Sequence, residues 1–374
     1  MNDAPQKPPL RISAGYLVAV VLIYGLATCG WLALGAITAY RSHRTDLDLR
    51  GQVGNLWGGQ HDQASPTLGV VEIPPAPAGT DPTPEASEPA AVVPEACRPA
   101  LTLRPGRTRA RADLALDHRR KGLLWYSTYG VTVEARYAFE NPSPCRRTGR
   151  LVLPLPAQGA IYDGFSMQAG GKELPVELDA NRATAALVFA PGETREVTVR
   201  YRSRGLDSWR YSFGAGTARA KDFELVVNTD FDQVDFPDGA LSPSSKQATD
   251  QGWRLTWRFR NILADAGIAV AMPHRINPGP LAAEISLFAP VSLAFFFFVL
   301  LLVSVMKQVR LHPVHYAMLA AAFFSFHVLL AYLVDLVPLW LAFSISSVTS
   351  IGLVVSYLRL AVGTRFAVLW AGGA

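Results

Sequence analysis

Three ionisable residues stand where such groups are expensive: His327, Asp335 and Glu284 lie within or beside long apolar runs. His327 is about 13 residues into a segment beginning near Val314, or about 20 Å of helix. A titratable group at that depth normally faces protein or water and marks a proton or ligand path. With Asp335 or Glu284 at its outer mouth, His327 forms a candidate intramembrane polar site. The plainer reading is a neutral His327 hydrogen-bonded to the hydroxyl face of the next segment, which offers Ser344, Ser346, Ser347, Thr349, Ser350 and Ser356. Small hydroxyl residues admit close helix approach and take interhelical hydrogen bonds.

Other clusters point to less. Asp230, Asp232, Asp235 and Asp238 in NTDFDQVDFPDG alternate as calcium ligands can. Val234 occupies a position where the EF-hand pattern needs oxygen, so a solvated acidic loop is expected. His312 and His315, in His-Pro-Val-His, flank a helix start for which Pro313 is suited. No cysteine or carboxylate stands near to complete a metal site, so a structural or headgroup contact is expected. Cys97 and Cys145 form a candidate disulfide on the outer side of a membrane, where such bridges persist; two separate thiols are the alternative. There is no Gly-x-Ser-x-Gly elbow, His-Glu-x-x-His, phosphate-binding glycine loop or Cys-x-x-Cys. No enzyme activity, cofactor or metal is therefore expected. Arginines outnumber lysines 29 to 6. On outer strand faces they suit an anionic glycan or lipid, and biased codon use accounts for them equally well.

The elements that must position these residues are mostly apolar. Half of the 374 residues are hydrophobic and only 17% are charged, against about a quarter in soluble domains. That excludes a simple cytosolic enzyme. A formal charge of +5 over this length is too weak a field for a nucleic-acid partner. Residues 12–40 carry no charge and are long enough to cross a bilayer. Further crossings are expected at 285–306, 314–336 and 339–358. Lys307, Arg310 and His312 lie between the first two of these, and Arg359 and Arg365 follow the last. Basic loops stay cytoplasmic, which puts residues 1–11 and 359–374 inside and 41–284 outside, in the periplasm. Arg41, Arg44 and Arg50 oppose this locally, but long domains translocate regardless of such charges. The apolar end at 366–374 is too short to span, and reads either as an interfacial tail or as the start of a further, truncated helix.

Residues 41–111 read as a juxtamembrane segment followed by a linker. Arg41 to Leu56 is polar and plausibly continues the anchor as a helix. From about 62 to 100 the chain is rich in Pro, Ala, Glu and Gly, a composition that buries too little to order a backbone. From 112 to 284 the expectation is a β domain. Val131, Val133, Ala135, Tyr137 and Phe139 alternate with polar residues, as do Val197, Val199 and Tyr201, then Leu225 and Val227, then Leu255 and Trp257. Period two with one polar face marks half-buried strands. About eight short strands suggest an antiparallel sandwich. The fold class is thus a membrane protein with α-helical transmembrane segments and an extracytoplasmic all-β domain.

The run RLHPVHYAMLAAAFFSFHVLLAYLV, Arg310 to Val334, resembles a segment of the CreD family of bacterial inner-membrane proteins. His312, Pro313 and Tyr316 match; His315 replaces a Gln, Phe326-His327 replaces Phe-Tyr, and Val334-Asp335 replaces Ser-Glu. Trp57-Gly58-Gly59-Gln60 is similar to the family's Trp-and-Gln element after the anchor, and RRKGLLWYSTYGVTVEARYAF to its first external strands. The likeness is closest over 285–360, looser over 10–60 and loosest across the sandwich. The external domain is shorter than usual for the family, which also carries more C-terminal helices. The resemblance implies a role in cell-envelope integrity and stress tolerance, linked to a two-component response and to colicin tolerance. It brings no catalytic residues.

The expected function is a non-enzymatic inner-membrane protein, multi-pass in the bilayer. Its exported domain contacts envelope glycan, lipid or a membrane-protein partner. The alternative is a transport-related or sensory subunit using His327, Asp335 and Glu284. A third reading is a membrane-anchored envelope enzyme, which needs an essential polar residue within 112–276.

Overall fold

A computed structural model describes residues 13–72, 102–122, 124–179, 181–306 and 311–362. They form two compact units. One comprises residues up to 49, 122–124 and those from 276 onward; the other comprises residues 50–121 and 125–275.

The helical unit draws on α1 (Ala14–Trp57), α2 (Pro278–Met306), α3 (Pro313–Leu333) and α4 (Leu339–Val362). All four are long and apolar enough to cross a membrane. Helices suit that task because every backbone donor finds its acceptor within the segment. Trp31 of α1 shares one buried cluster with Leu293, Phe297, Tyr316 and Leu358, and its ring meets Phe323, Phe324 and His327. Gly35 permits close approach: a Cβ there would stand 2.7 Å from the Leu287 side chain. Phe288, Phe295 and Phe298 remain exposed on α2, as suits residues turned to an apolar solvent. Expected crossings and observed helices agree in number. However, α2 begins at Pro278 rather than 285, α3 stops at Leu333 rather than 336, and α4 continues to Val362.

In chain order the strands are β1 (His61–Ala64), β2 (Thr67–Glu72), β3 (Thr102–Leu103), β4 (Arg107–Lys121), β5 (Leu124–Glu140), β6 (Arg147–Pro154), β7 (Asp163–Ala169), β8 (Lys172–Glu173), β9 (Val176–Asp179), β10 (Arg182–Phe189), β11 (Thr194–Leu206), β12 (Ser208–Ser212), β13 (Ala218–Thr229), β14 (Ser245–Ala248), β15 (Trp253–Ala264) and β16 (Ile268–Ala271). They make an eight-stranded sheet ordered β14-β15-β13-β4-β5-β11-β7-β8, a five-stranded sheet β3-β2-β6-β10-β9 and a three-stranded sheet β1-β12-β16. The alternating residues named above pack inward: Val133, Tyr137, Val199, Tyr201, Leu225, Val227, Leu255 and Trp257 share one buried cluster.

Three expectations need correction. The β domain does not begin at 112: β1, β2, β3 and the first residues of β4 already lie in its sheets. His61–Ala64 and Thr67–Glu72 are too short to show a period, and they are held by partners far along the chain, β12 and β6. The linker therefore does not start at 62; residues 73–101 lie outside the described residues. Nor is pairing wholly antiparallel, because β1–β12 and β13–β4 are parallel. Finally, about eight strands were too few, since short edge strands such as β8 and β9 carry little hydrophobic signal. Expectations for residues 1–11 and for the end beyond 362 fall outside the described residues, apart from Arg359–Val362, which continue α4.

Candidate functional site

The predicted intramembrane residues are not brought together. His327 is buried at 3% exposure. Its Nδ1 lies 3.3 Å from the carbonyl of Phe323, one turn back on its own helix. Around the ring stand Trp31 (5.6 Å between centroids), Phe323 and Phe326. The expected bond to the serine face of α4 is replaced by this local one. Ser350 instead donates to the carbonyl of Ala322 at 3.0 Å, and Ser344 to Trp340 of its own helix. Asp335 is exposed and lies 3.8 Å from Arg41, some eight residues beyond His327. Glu284 is exposed on α2. His312 caps α3, accepting from the Val314 amide, and His315 Nδ1 lies 2.8 Å from the Tyr357 hydroxyl. Cys145 is disulfide-bonded and Cys29 is free, while Cys97 lies outside the described residues.

Among the acids, Asp230 accepts from the Leu116 amide at 2.8 Å and Asp235 from the Phe236 amide. Among the described residues no group of three or more His, Cys, Asp or Glu is placed to hold a metal.

The most elaborately built polar region is in the β unit, where the chain leaves α1. Arg50 bonds Asp207 at 2.6 Å, and Asp207 holds a left-handed backbone, φ 67°. Trp57 lies against two guanidiniums, Arg119 at 4.1 Å and Arg204 at 5.4 Å from its ring centre. Gly58 follows with φ 101°, and a Cβ there would collide with the carbonyl of Arg204. Only glycine combines that angle with that proximity. The Gly59 carbonyl accepts from Leu206 at 3.3 Å, and Gln60 bonds the Ser208 hydroxyl. The chain then enters β1 beside β12.

His61, the first residue of β1, is inaccessible. Its Nδ1 faces the Gly59 carbonyl at 3.2 Å and its Nε2 the Ser203 hydroxyl at 3.0 Å. Ser203 also faces the Ile161 carbonyl at 2.9 Å. A carbonyl only accepts, so Nδ1 carries the ring proton. The one Ser203 hydroxyl proton is then shared between Nε2 and Ile161. Burial pushes the His61 pKa down to about 4, opposed by the bond to Gly59. Nearby, Tyr201 donates to Gln63 at 2.6 Å and Tyr129 to the Ser208 carbonyl at 2.8 Å. Burial raises both phenols, so they act as fixed donors.

Trp57 and Leu56 also wall an open hollow of about 790 Å³ on the outer face of the eight-stranded sheet. Its floor carries Asp113, Thr132, Asp163, Arg202, Arg204, Asn228 and Asp230, from β4, β5, β7, β11 and β13 and the residue that follows β13. Arg202 pairs with Asp163 at 2.7 Å. Asn228 donates to Asp113 at 2.6 Å. The arrangement offers fixed acceptors and planar polar groups beside an indole. Ser203, which also lines the hollow, keeps its hydroxyl between His61 Nε2 and the Ile161 carbonyl. The residue-type search missed His61 and Ser203, because neither has a local motif. The only sequence pointer was to His61, which directly follows Trp57-Gly58-Gly59-Gln60; Ser203, far along the chain, had none.

The profile of the family described as "Inner membrane protein CreD" matches residues 285–373. Over those residues the chain is similar to the CreD family. The match covers the C-terminal helices, including His312, Pro313 and Tyr316, and stops short of the β unit. No curated protein matches the sequence. Among solved structures, a protein described as nutrient-binding from Legionella pneumophila is similar at 10% identity and TM-score 0.32, over 48% of this chain and 72% of that one. An M1 zinc metallopeptidase from Deinococcus radiodurans is similar at 15% identity and TM-score 0.26, over 45% of this chain and 43% of that one. Likenesses this slight say nothing about what the chain does.

Proposed function

We propose that this chain is a non-enzymatic inner-membrane protein that supports envelope integrity and stress tolerance, with its β unit in the periplasm as the contact surface for envelope material or a partner. The observation that carries the reading is the contrast in polar architecture. In the helical unit the buried His327 is satisfied by its own helix, and Asp335 and Glu284 stand apart from it. In the β unit an open, acceptor-rich hollow is held by a densely bonded joint at Trp57–His61. A surface of that kind suits binding. The basic residues at 307–312 and at 359–365 support the topology, because such loops remain cytoplasmic.

The test has two parts. Reporter fusions after residue 150 should be active only outside the cytoplasm. A gene deletion should sensitise cells to detergent, β-lactam or colicin, and the intact chain should restore tolerance. Gln251 lines the hollow, so a Gln251→Trp chain, with a bulky indole at that wall, should reach the membrane at normal levels and fail to restore tolerance. Full rescue by Gln251→Trp, or no change in tolerance on deletion, overturns the reading.

A further inference from the structure

The outer face of the eight-stranded sheet holds a second hollow, of about 740 Å³, beside the first. The two meet at Asn228, which lines both. Strand register explains the meeting. Asn228 on β13 stands opposite Arg254 of β15 on one side and Asp113 of β4 on the other. Its side chain joins them: Nδ2 donates to Asp113 at 2.6 Å, and Oδ1 accepts from Arg254 Nε at 3.3 Å. Two strand spacings, about 10 Å, separate Arg254 from Asp113.

The hollows differ in charge. The second is lined by Arg111, Arg254 and Arg258 against one carboxylate, Glu224. Glu224 is already engaged by Arg258 at 2.8 Å and by Arg109 at 3.5 Å. Arg111 is held by Asp113. Among the described residues Arg254 meets no carboxylate, and its exposed guanidinium borders the hollow. The remaining lining is hydroxyl and amide, and Val226 is its one apolar side chain. The first hollow has three carboxylates, Asp113, Asp163 and Asp230, against Arg202 and Arg204, with Trp57 at the wall.

We infer that the two hollows form one continuous site for an anionic glycan, with sugar hydroxyls on the acceptors of the first hollow and a carboxylate or phosphate group on Arg254 and Arg258 in the second. This rests on the envelope-contact reading above and names its ligand class. Sugar hydroxyls are donors that match carboxylate and amide oxygens, and an aromatic wall fits the apolar face of a ring. Guanidinium is the preferred partner of a carboxylate or phosphate. A lipid needs an apolar slot, which the second hollow lacks. A protein partner calls for an apolar interface core; Leu56, Trp57 and Ile161 give the first hollow an apolar wall, but the second presents none.

The experiment measures binding by the full chain in nanodiscs. The probes are oligogalacturonate, its methyl ester, a phosphorylated mannan fragment and inorganic polyphosphate. At least one of the two anionic saccharides should bind, and which one does identifies the anion as carboxylate or phosphate. The neutral ester should bind at least tenfold more weakly. Arg254→Gln with Arg258→Gln should weaken the anionic saccharide about tenfold or more, as expected when a charge-assisted hydrogen bond is lost. Because exposed charges are screened, raised salt should act in the same direction. Gln251→Trp should abolish saccharide binding and leave the weaker binding of polyphosphate unchanged. Equal affinity for ester and acid, equal affinity for polyphosphate and saccharide, or unaltered binding by the arginine variant each overturns the inference. If neither saccharide binds while Gln251→Trp still fails to restore envelope tolerance, the ligand class falls and the envelope reading stands.

Discussion

His61 in the β unit and His327 in the helical unit are both shut away from solvent, at 0% and 3% exposure, and each sets Nδ1 against a backbone carbonyl. There the likeness ends. His327 faces a carbonyl four residues back on its own helix and is otherwise ringed by Trp31, Phe323 and Phe326. That bond joins nothing that the helix had not already joined. His61 ties Gly59 to Ser203, and through Ser203 to Ile161. These segments are remote in sequence, and the imidazole fixes where they meet. A buried polar group positions a structure only when its partners come from different parts of the chain.

The sharpest way to break the comparison is steric. Gly58→Ala would combine a strained φ with a collision at the Arg204 carbonyl, and Gly205→Ala would push into Tyr129 and the His61 ring. Each should cost about 3 kcal/mol or more, read as a drop in denaturant midpoint of the β unit within the full chain. Gly30→Ala on α1, where the nearest atom to a new Cβ is 3.9 Å away, should cost far less.

Acid should act next. The His61 pKa is about 6.5 unfolded and about 4 folded. Between those values the unfolded state binds the extra proton, so this contribution is intact above pH 6.5 and is lost as pH falls towards 4. At 1.36 kcal/mol per unit the loss is about 3 kcal/mol. His61→Gln should be less stable at pH 7 and should show a flatter fall on acidification. An unchanged slope would remove His61 as the source.

A smaller loss is expected from Trp57→Ala, which deletes the contacts with Arg119 and Arg204: about 2 kcal/mol, seen as faster proteolysis near residues 57–61. Smaller still is His327→Leu, a similar volume with one weak local bond removed, at under about 1.5 kcal/mol. It should restore envelope tolerance fully. A chain with unaltered stability but no rescue would return His327 to the centre of the function. Millimolar calcium should leave the melting temperature of the full chain unchanged, since the acids near Asp230 are bonded to nearby amides rather than gathered around a common point.

Much of the architecture could be read in advance because its causes are local. Four charge-poor runs specify helices long and apolar enough to cross a membrane, and Val131 to Tyr137 or Val197 to Tyr201 specify strands by alternation. Pro313 with His312 marked a helix start. The failures share one cause. His61–Ala64 is four residues without a pattern, and it becomes a strand only because β12 accepts it in parallel. The tail of α1 and the Trp57 element were visible as residues, but not as a clasp on β11, since Arg204 and Asp207 lie about 150 positions away.

From its order of residues alone the chain determined which segments avoid water, which alternate, and which run over 285–373 is similar to a known family. These follow from hydropathy and period, which each segment carries by itself. Only the folded chain decided that His61 rather than His327 would stitch distant segments together, that β4 would run beside β13 in parallel, and that Asn228 would stand between two hollows of opposite charge. Such placements depend on register between strands far apart in sequence, and one residue of slip would turn every side chain of a strand to the other face.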